Sequence, residues 1–596
     1  MPKTHLPGHL DSVRQTVRPK HQVLIAKCYP RLPKNSAADV KPNGSELSYL
    51  MYYASSRKSK LQKVGTFLER KTASDVRKSQ SARVLVTLQI LTALLDNKAV
   101  GEGSGLALMA PYVMRIIGGI LENTNDVSLI QATQTTWNAF CKHPDQALLA
   151  AEHEHRELFE KTITQYSQYA HKSGAKKLGK GTTPVATHDA IRLRETGLQA
   201  IKSVLTSVVM CFESAQPVLY ITIPAVLGNL HGDGASHIEH LLGASKRAED
   251  GEKNRAMNPR QSIATVRTFT GQDDTSEPDP RAAEGTAQDA DAIAEEEVAI
   301  LALDCLKTVF ASDNRVQART ATSVVLKYLS DLQYYRRPSS SDKHISDLSV
   351  NTWATKIFEL CTAWTPVGDR FILLVTTVET LVRLPLKERD MRQHLLHASL
   401  IDHILRSDLN LIGLSTMDVL LQLMQHTLRI LQSGVAPPTT ASSNSASAPN
   451  TPKTPTSGAS QPASTPEQAR SNGDTDMPSP PTLQLVDRSK SCIAGLATHI
   501  YYTDQLSDMI GAILVRLKPN PTPSGQQAPS ATVAAIEEPK IALSEVASNS
   551  GLPSSRSRSN STNNGYFSFD AARQTALEAV RDIIKVANNC RHHSLS

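Results

Sequence analysis

The stretch MDVLLQLMQHTLRILQSG, residues 417–434, sets Met417, Leu420, Leu421, Met424, Leu428 and Leu431 on one helical face and stops at Gly434. Apolar side chains three and four residues apart share one stripe of an α-helix, and glycine is a common stop signal. The same spacing returns at Val84, Leu85, Leu88, Leu91 and Leu95, at Val298, Leu301, Cys305 and Val309, and at Ala576, Val580, Ile583 and Ala587. Alternation of period two is rare and short, as in the β-branched run 218–223, so the folded part is read as all-α. Short polar or glycine-containing turns, 101–105 and 123–126, separate helices over hundreds of residues. Stacked helix pairs fit this arrangement: a HEAT- or armadillo-like repeat solenoid, a rod, although no strict sequence period is present. An irregular helical bundle is the alternative.

With 596 residues, 40% hydrophobic and 20% charged, the chain is long enough for several buried cores. Seven scattered cysteines (Cys28, Cys141, Cys211, Cys305, Cys361, Cys492, Cys590) form no CxxC pair, which argues against a disulfide framework or a zinc site and for a reducing compartment. The start, MPKTHLPGHLDSVRQ, lacks the apolar run of a signal peptide. No stretch reads as a spanning helix; the longest uncharged candidate, 217–230, is interrupted by Pro224 and Gly228, so membrane contact is expected to be peripheral.

Charge is distributed unevenly. The first 83 residues carry 17 Lys and Arg against 5 Asp and Glu, a net of +12 in a chain whose total is +7. Residues 271–297 hold ten acids and one Arg, and residues 435–482 hold ten prolines among Ser, Thr and Ala. With a similar tract from Pro519 to about Asn564, these segments cannot bury enough apolar surface to offset ordering and are expected to be disordered. The resulting organisation is a basic arm over 1–45, helical repeats with a basic surface over 46–250 and an acidic linker over 251–294. Repeats over 295–434, a Ser/Thr/Pro-rich tract over 435–482, helices over 483–518, a second tract over 519–566 and a terminal helix over 567–590 complete it. Thr451, Thr454, Thr465 and Ser479 each precede a proline, and Ser557, Ser559 and Ser561 lie among arginines, which makes these tracts candidate phosphorylation sites.

GAKKLGKG, residues 174–181, matches a phosphate loop up to Lys180 but has Gly181 where Ser or Thr must hold Mg²⁺, so a basic inter-helix loop is the better reading. His153 and Glu154 open an HExxH pattern that fails at Glu157, and a solvated helix face accounts for His153, Glu154 and His155. Gly101, Gly103 and Gly105 surround Ser104 without forming a nucleophile elbow and read as a flexible turn. Tyr49, Tyr52 and Tyr53 beside basic residues could stack RNA bases, but at helical spacing they are read as core. No metal or cofactor is expected.

The N-terminal basic face is different. On a helix from about Lys60, Leu61, Val64 and Leu68 form one stripe, with Lys60, Lys63 and Arg70 to one side. Arg57, Lys58 and Lys71, with Lys20 and Lys27 upstream and Arg77, Lys78 and Arg83 beyond, extend a patch of the kind anionic lipids attract, at ~1 kcal/mol per Lys or Arg near the surface.

At RPKHQVLIAKCYP (18–30) and ELSYLMYYASSRKSKLQKVGTFLERKTASDVRK (46–78) the chain resembles the Eighty-five Requiring family, called rolling blackout in flies, in its fungal branch. The resemblance implies a rod of HEAT- and armadillo-like repeats on the cytoplasmic face of the plasma membrane. There it would recruit a type III phosphatidylinositol 4-kinase through a tetratricopeptide-containing adaptor and support phosphatidylinositol 4-phosphate synthesis. It also implies a basic membrane patch, whose matching positions are Arg57, Lys58, Lys60, Lys63, Arg70 and Lys71. Animal members carry an N-terminal cysteine cluster for palmitoylation; residues 1–27 here contain none, and Cys28 reads as a packed thiol. Family rods usually continue past the point where this chain stops, which suggests a truncated or alternatively predicted product. The sequence thus points to a non-enzymatic scaffold binding acidic inner-leaflet phospholipids, with no nucleic acid expected. A lipid hydrolase and a basic helical-repeat RNA binder are the alternatives.

Overall fold

The computed structural model describes residues 18–31, 40–101, 104–142, 152–172, 186–211, 216–231, 235–257, 280–335, 345–387, 390–434, 481–499, 503–517 and 570–593, and these contain helices and turns without a strand. The chain divides into two units, Met1–Arg383 with Arg392–Leu414, and Leu384–Met391 with Ser415–Ser596. The boundary therefore falls inside the segment 295–434 that the sequence suggests as one run of repeats.

The first unit begins with α1 (Lys20–Cys28), α2 (Gly44–Ser56), a 3₁₀ turn (Lys58–Lys60), α3 (Leu61–Arg77) and α4 (Ser81–Asp96). It continues through α5 (Ser104–Asn123), α6 (Val127–Lys142), α7 (His153–Ala170), α8 (Thr187–Leu205), α9 (Gln216–Gly228) and α10 (Ala235–Met257). Next come α11 (Pro280–Phe310), α12 (Arg315–Tyr335), α13 (Ile345–Trp364), α14 (Arg370–Arg383) and α15 (Met391–Arg406). Packing sorts these into two rows: α4 on α6, α6 on α8 and α8 on α11 in one, and α3, α5, α7, α9, α12 and α14 in succession in the other. Stacked pairs of this kind bury the apolar stripe of each helix against its neighbours, as in helical-repeat proteins. The second unit packs α16 (Thr416–Gly434) on α17 (Pro481–Gly495), and α17 and α18 (Thr503–Arg516) on α19 (Asp570–His593). Of the face read over 417–431, Leu420, Met424 and Leu428 are buried there, Met417, Leu421 and Leu431 are half-buried, and Val419, Leu423 and Ile430 are buried as well.

Two close contacts fix the rows. A Cβ on Gly65 would lie 2.5 Å from the Tyr112 ring, and one on Gly197 would lie 2.5 Å from Ala170 N and 2.6 Å from Tyr166 O, so α3 meets α5 and α8 meets α7 where only glycine fits. Between the rows, Trp137 stacks on Phe140 at 5.5 Å and tilts against Phe159 and Tyr166, while its Nε1 donates to Ala200 O at 3.2 Å. Aromatic packing with a satisfied N–H is the arrangement a buried Trp requires.

Several sequence expectations change. The run 218–223 lies inside helix α9, where packing outweighs β-propensity. Helices α10 and α11 extend to Met257 and from Pro280, so the ends of the acidic 251–294 segment are helical; its repeated Ala and Glu are strong helix formers, and residues 258–279 lie outside the described set. Gly105 is helical and packs against Val100 O, not in a flexible turn. Helix Ser104–Asn123 is long and apolar enough to cross a membrane by length and composition, with mean hydropathy 1.5, contrary to the reading that no stretch qualifies. It serves instead as an interior helix, against α3, α6 and α7. Its Arg115 meets Glu69 at 3.3 Å and Glu154 at 3.1 Å.

Candidate functional site

The cations singled out in the sequence gather where α1, α2 and α3 meet. Asn43 N–H donates to Cys28 O at 2.9 Å and Asn43 Nδ2 to Lys27 O at 2.7 Å, which ties the end of α1 to the start of α2 and sends α2 back along α1. The far end of α2 then passes into the turn Arg57–Lys60, closed by Arg57 N–H to Tyr53 O at 3.2 Å and Lys60 N–H to Arg57 O at 2.8 Å. This turn stands close to the start of α1. His21, buried against Phe67 with ring centroids 6.4 Å apart, has its pKa lowered first by burial and then by the Lys63 and Lys60 charges.

Lys20, Arg57, Lys58, Lys63 and Arg70 are exposed and Lys60 is half-buried; among the described residues none of the six has an ion-pair partner. The only acids between residues 41 and 71 are Glu46 and Glu69. Both are occupied, Glu46 by Lys27 at 3.8 Å and Glu69 by Arg115. An anion approaching this end therefore meets uncompensated positive charge.

Lys71 does not join the cluster. Its ammonium sits 3.1 Å from Asp75 Oδ2, which is buried, and 4.1 Å above the Tyr29 ring, whose hydroxyl lies 2.7 Å from Thr87 Oγ1. It is a packing cation. Cys28 is buried, donates its thiol to Leu24 O at 3.3 Å, and has its pKa pushed up to about 12 by burial and by Glu46. A thiol in that state is a poor nucleophile.

Other expected features fall differently. Tyr53 is buried at 9% exposure, but Tyr49 at 64% and Tyr52 at 73% stand in solvent, against the expectation that all three are core. The missed signal was the pair Leu50 and Ala54, which fixes the buried stripe of α2 and leaves Tyr49 and Tyr52 with Ser45, Ser48 and Ser56 on the other side. His153 and Glu157 form an exposed i,i+4 pair at 3.4 Å, whereas His155 is buried, 2.6 Å from Glu152, and so is not on the solvated face. The 174–181 loop and all phosphorylation candidates (Thr451, Thr454, Thr465, Ser479, Ser557, Ser559, Ser561) lie outside the described residues.

Fold and site together define a class: a helical-repeat protein whose first helices carry a cluster of cations without ion-pair partners among the described residues. Residues 20–275 match the family model for EFR3 protein, the family the motifs at 18–30 and 46–78 resemble. Protein EFR3 of Coccidioides immitis is 40% identical over 587 residues, covering 97% of this chain and 43% of that protein. Protein EFR3 of Pyricularia oryzae is 40% identical over 593 residues, covering 97% of this chain and 45% of its own length. The chain thus spans less than half the length of these relatives. A crystal structure of Efr3 shares the fold at TM-score 0.52 and 15% identity, over 95% of this chain and 72% of that one.

Proposed function

We propose that the chain is a non-enzymatic peripheral scaffold on the cytoplasmic face of the plasma membrane, holding acidic inner-leaflet phospholipids with its N-terminal cation cluster. The observation that carries this reading is six cations (Lys20, Arg57, Lys58, Lys60, Lys63, Arg70) without ion-pair partners among the described residues, beside carboxylates already engaged elsewhere. At ~1 kcal/mol per cation near an anionic surface, six contacts supply roughly 6 kcal/mol before the costs of association, enough for a reversible hold. Family resemblance supports the rest of the proposal: recruitment of a phosphatidylinositol 4-kinase through its tetratricopeptide-containing adaptor, in support of phosphatidylinositol 4-phosphate synthesis.

Co-sedimentation with vesicles tests the reading. The chain is expected to pellet with phosphatidylserine- or phosphoinositide-containing vesicles, to remain in solution with phosphatidylcholine alone, and to be released as salt rises. Equal pelleting with both kinds of vesicle, or displacement from acidic vesicles by RNA at lower charge equivalents than by soluble lipid headgroups, overturns it. Co-purification of the kinase and its adaptor with the tagged chain tests the partner half.

A further inference from the structure

We propose that Tyr49 and Tyr52 are an interfacial wedge that enters the headgroup layer of an acidic bilayer beside the basic turn Arg57–Lys60, an inference that rests on the membrane reading above. The pair are the most exposed aromatic residues among the described ones, at 64% and 73%. Four other tyrosines of the first unit behave otherwise, whereas Tyr220 of α9 is the next most exposed, at 51%. Tyr29 is bonded to Thr87, Tyr166 donates to Thr133 at 2.9 Å, Tyr169 donates to Leu121 O at 2.8 Å and Tyr328 meets His231 at 2.8 Å. Tyr166 and Tyr169 are buried, Tyr29 and Tyr328 half-buried, and each phenol is satisfied inside the protein, as a covered tyrosine requires. Tyr49 and Tyr52 have neither cover nor an internal phenol partner among the described residues.

Their neighbours select the occupant. The outward stripe of α2 otherwise carries Ser45, Ser48 and Ser56, with no charge, and it runs directly into Arg57 and Lys58. Tyr52 lies five positions before Arg57, about 8 Å along a helix rising 1.5 Å per residue, so ring and cations are near enough to meet the same patch of bilayer. A ring with a polar tip suits the boundary between acyl chains and headgroups, where tyrosine is enriched. Cations at one end of the stripe suit lipid phosphates, and the nearby Glu46 and Glu69 are already paired with Lys27 and Arg115. Charge complementarity and the amphipathic ring thus converge on an anionic bilayer.

The experiment uses the full chain with vesicles of phosphatidylcholine and phosphatidylserine in equal parts. Tyr49→Ser/Tyr52→Ser is expected to keep its helical circular dichroism and bind about tenfold more weakly, while Tyr49→Phe/Tyr52→Phe binds within about twofold of the parent chain. In a Tyr52→Trp chain, emission should shift to the blue on binding and be quenched by lipids brominated on the acyl chain. Of the three native tryptophans, Trp137 and Trp353 are buried and Trp364 is half-buried, so the emission of the parent chain with the same vesicles is subtracted as background. If the parent chain binds these vesicles but the Ser pair binds equally and the new indole is unquenched, the wedge is wrong and the electrostatic reading stands. If the parent chain ignores acidic vesicles, both fail. A Tyr52→Trp signal that answers RNA or an acidic protein, and not vesicles, assigns the pair to another partner and overturns the inference.

Discussion

Two regions of the first unit handle charge in opposite ways. Across the interior layers, cations on one helix find acids on the next: Lys202 of α8 reaches Asp304 of α11 at 2.6 Å, Arg194 pairs with Glu295, Arg315 with Asp369 at 2.7 Å, and Arg115 bridges α3 and α7. On the first helices, five exposed cations and the half-buried Lys60 have no ion-pair partner among the described residues. Both regions bury leucine and valine with the same helical spacing, so hydrophobic packing does not distinguish them. The contrast shows that a basic helix flank becomes informative when the neighbouring layer fails to balance it.

The largest effect should come from reversing that imbalance. Arg57→Glu, Lys58→Glu, Lys60→Glu and Lys63→Glu together remove four contacts of ~1 kcal/mol each and add repulsion of similar size, so binding to acidic vesicles should fall more than a thousandfold. Circular dichroism should be unchanged, and the protein should leave the cell edge for the cytosol. Continued residence at the membrane would break the comparison.

Next in size, Trp137→Ala should cost ~3–5 kcal/mol in chemical denaturation by opening a cavity among Phe140, Phe159 and Tyr166. While folded, that variant should bind vesicles like the parent chain. Lys71→Ala separates packing from surface charge within one helix: leaving Asp75 buried without its partner should cost ~2 kcal/mol of stability, with vesicle affinity changed less than about twofold. A large loss of affinity there would return Lys71 to the membrane patch. Cys28→Ser should leave localisation unchanged and stability within ~1 kcal/mol, and loss from the membrane would revive acyl anchoring.

A smaller pH effect follows from His21. Its folded pKa lies below the unfolded value of 6.5, so in the interval between them the unfolded chain holds more protons. The contribution of His21 is fully present above 6.5 and is lost as pH falls through the window below it. Denaturation midpoints at stepped pH should show this decline, and His21→Gln should flatten it.

Most helices were legible because a single period, apolar residues every three or four positions, marks the face that packs. Where composition competed with period the reading slipped: the 218–223 run is β-branched yet helical, and Ala-rich acids at the start of α11 are helical despite their charge. The cation cluster was legible as residues but not as a set. That Asp75, four positions on, claims Lys71 was available in the sequence; that α1 returns Lys20 toward Lys60 and Lys63 depends on the α1–α2 turn at Asn43, which no local pattern announces. Three tyrosines in five residues could be assigned only once Leu50 and Ala54 fixed the inward face.

The two-row stacking has a kinetic consequence. Because each helix in the first unit packs chiefly on those one to three places along the chain, native contacts close short loops and contact order is low for so large a unit. Folding of such a stack can start at any well-formed pair and spread outward one layer at a time. The first helices, with a neighbouring layer on one side among the described residues, are expected to gain protection late and to exchange amide hydrogens early. Occupancy by a ligand that binds only their ordered form would then be visible as slowed exchange confined to α1–α3, a local readout that needs no assay of the rest of the chain.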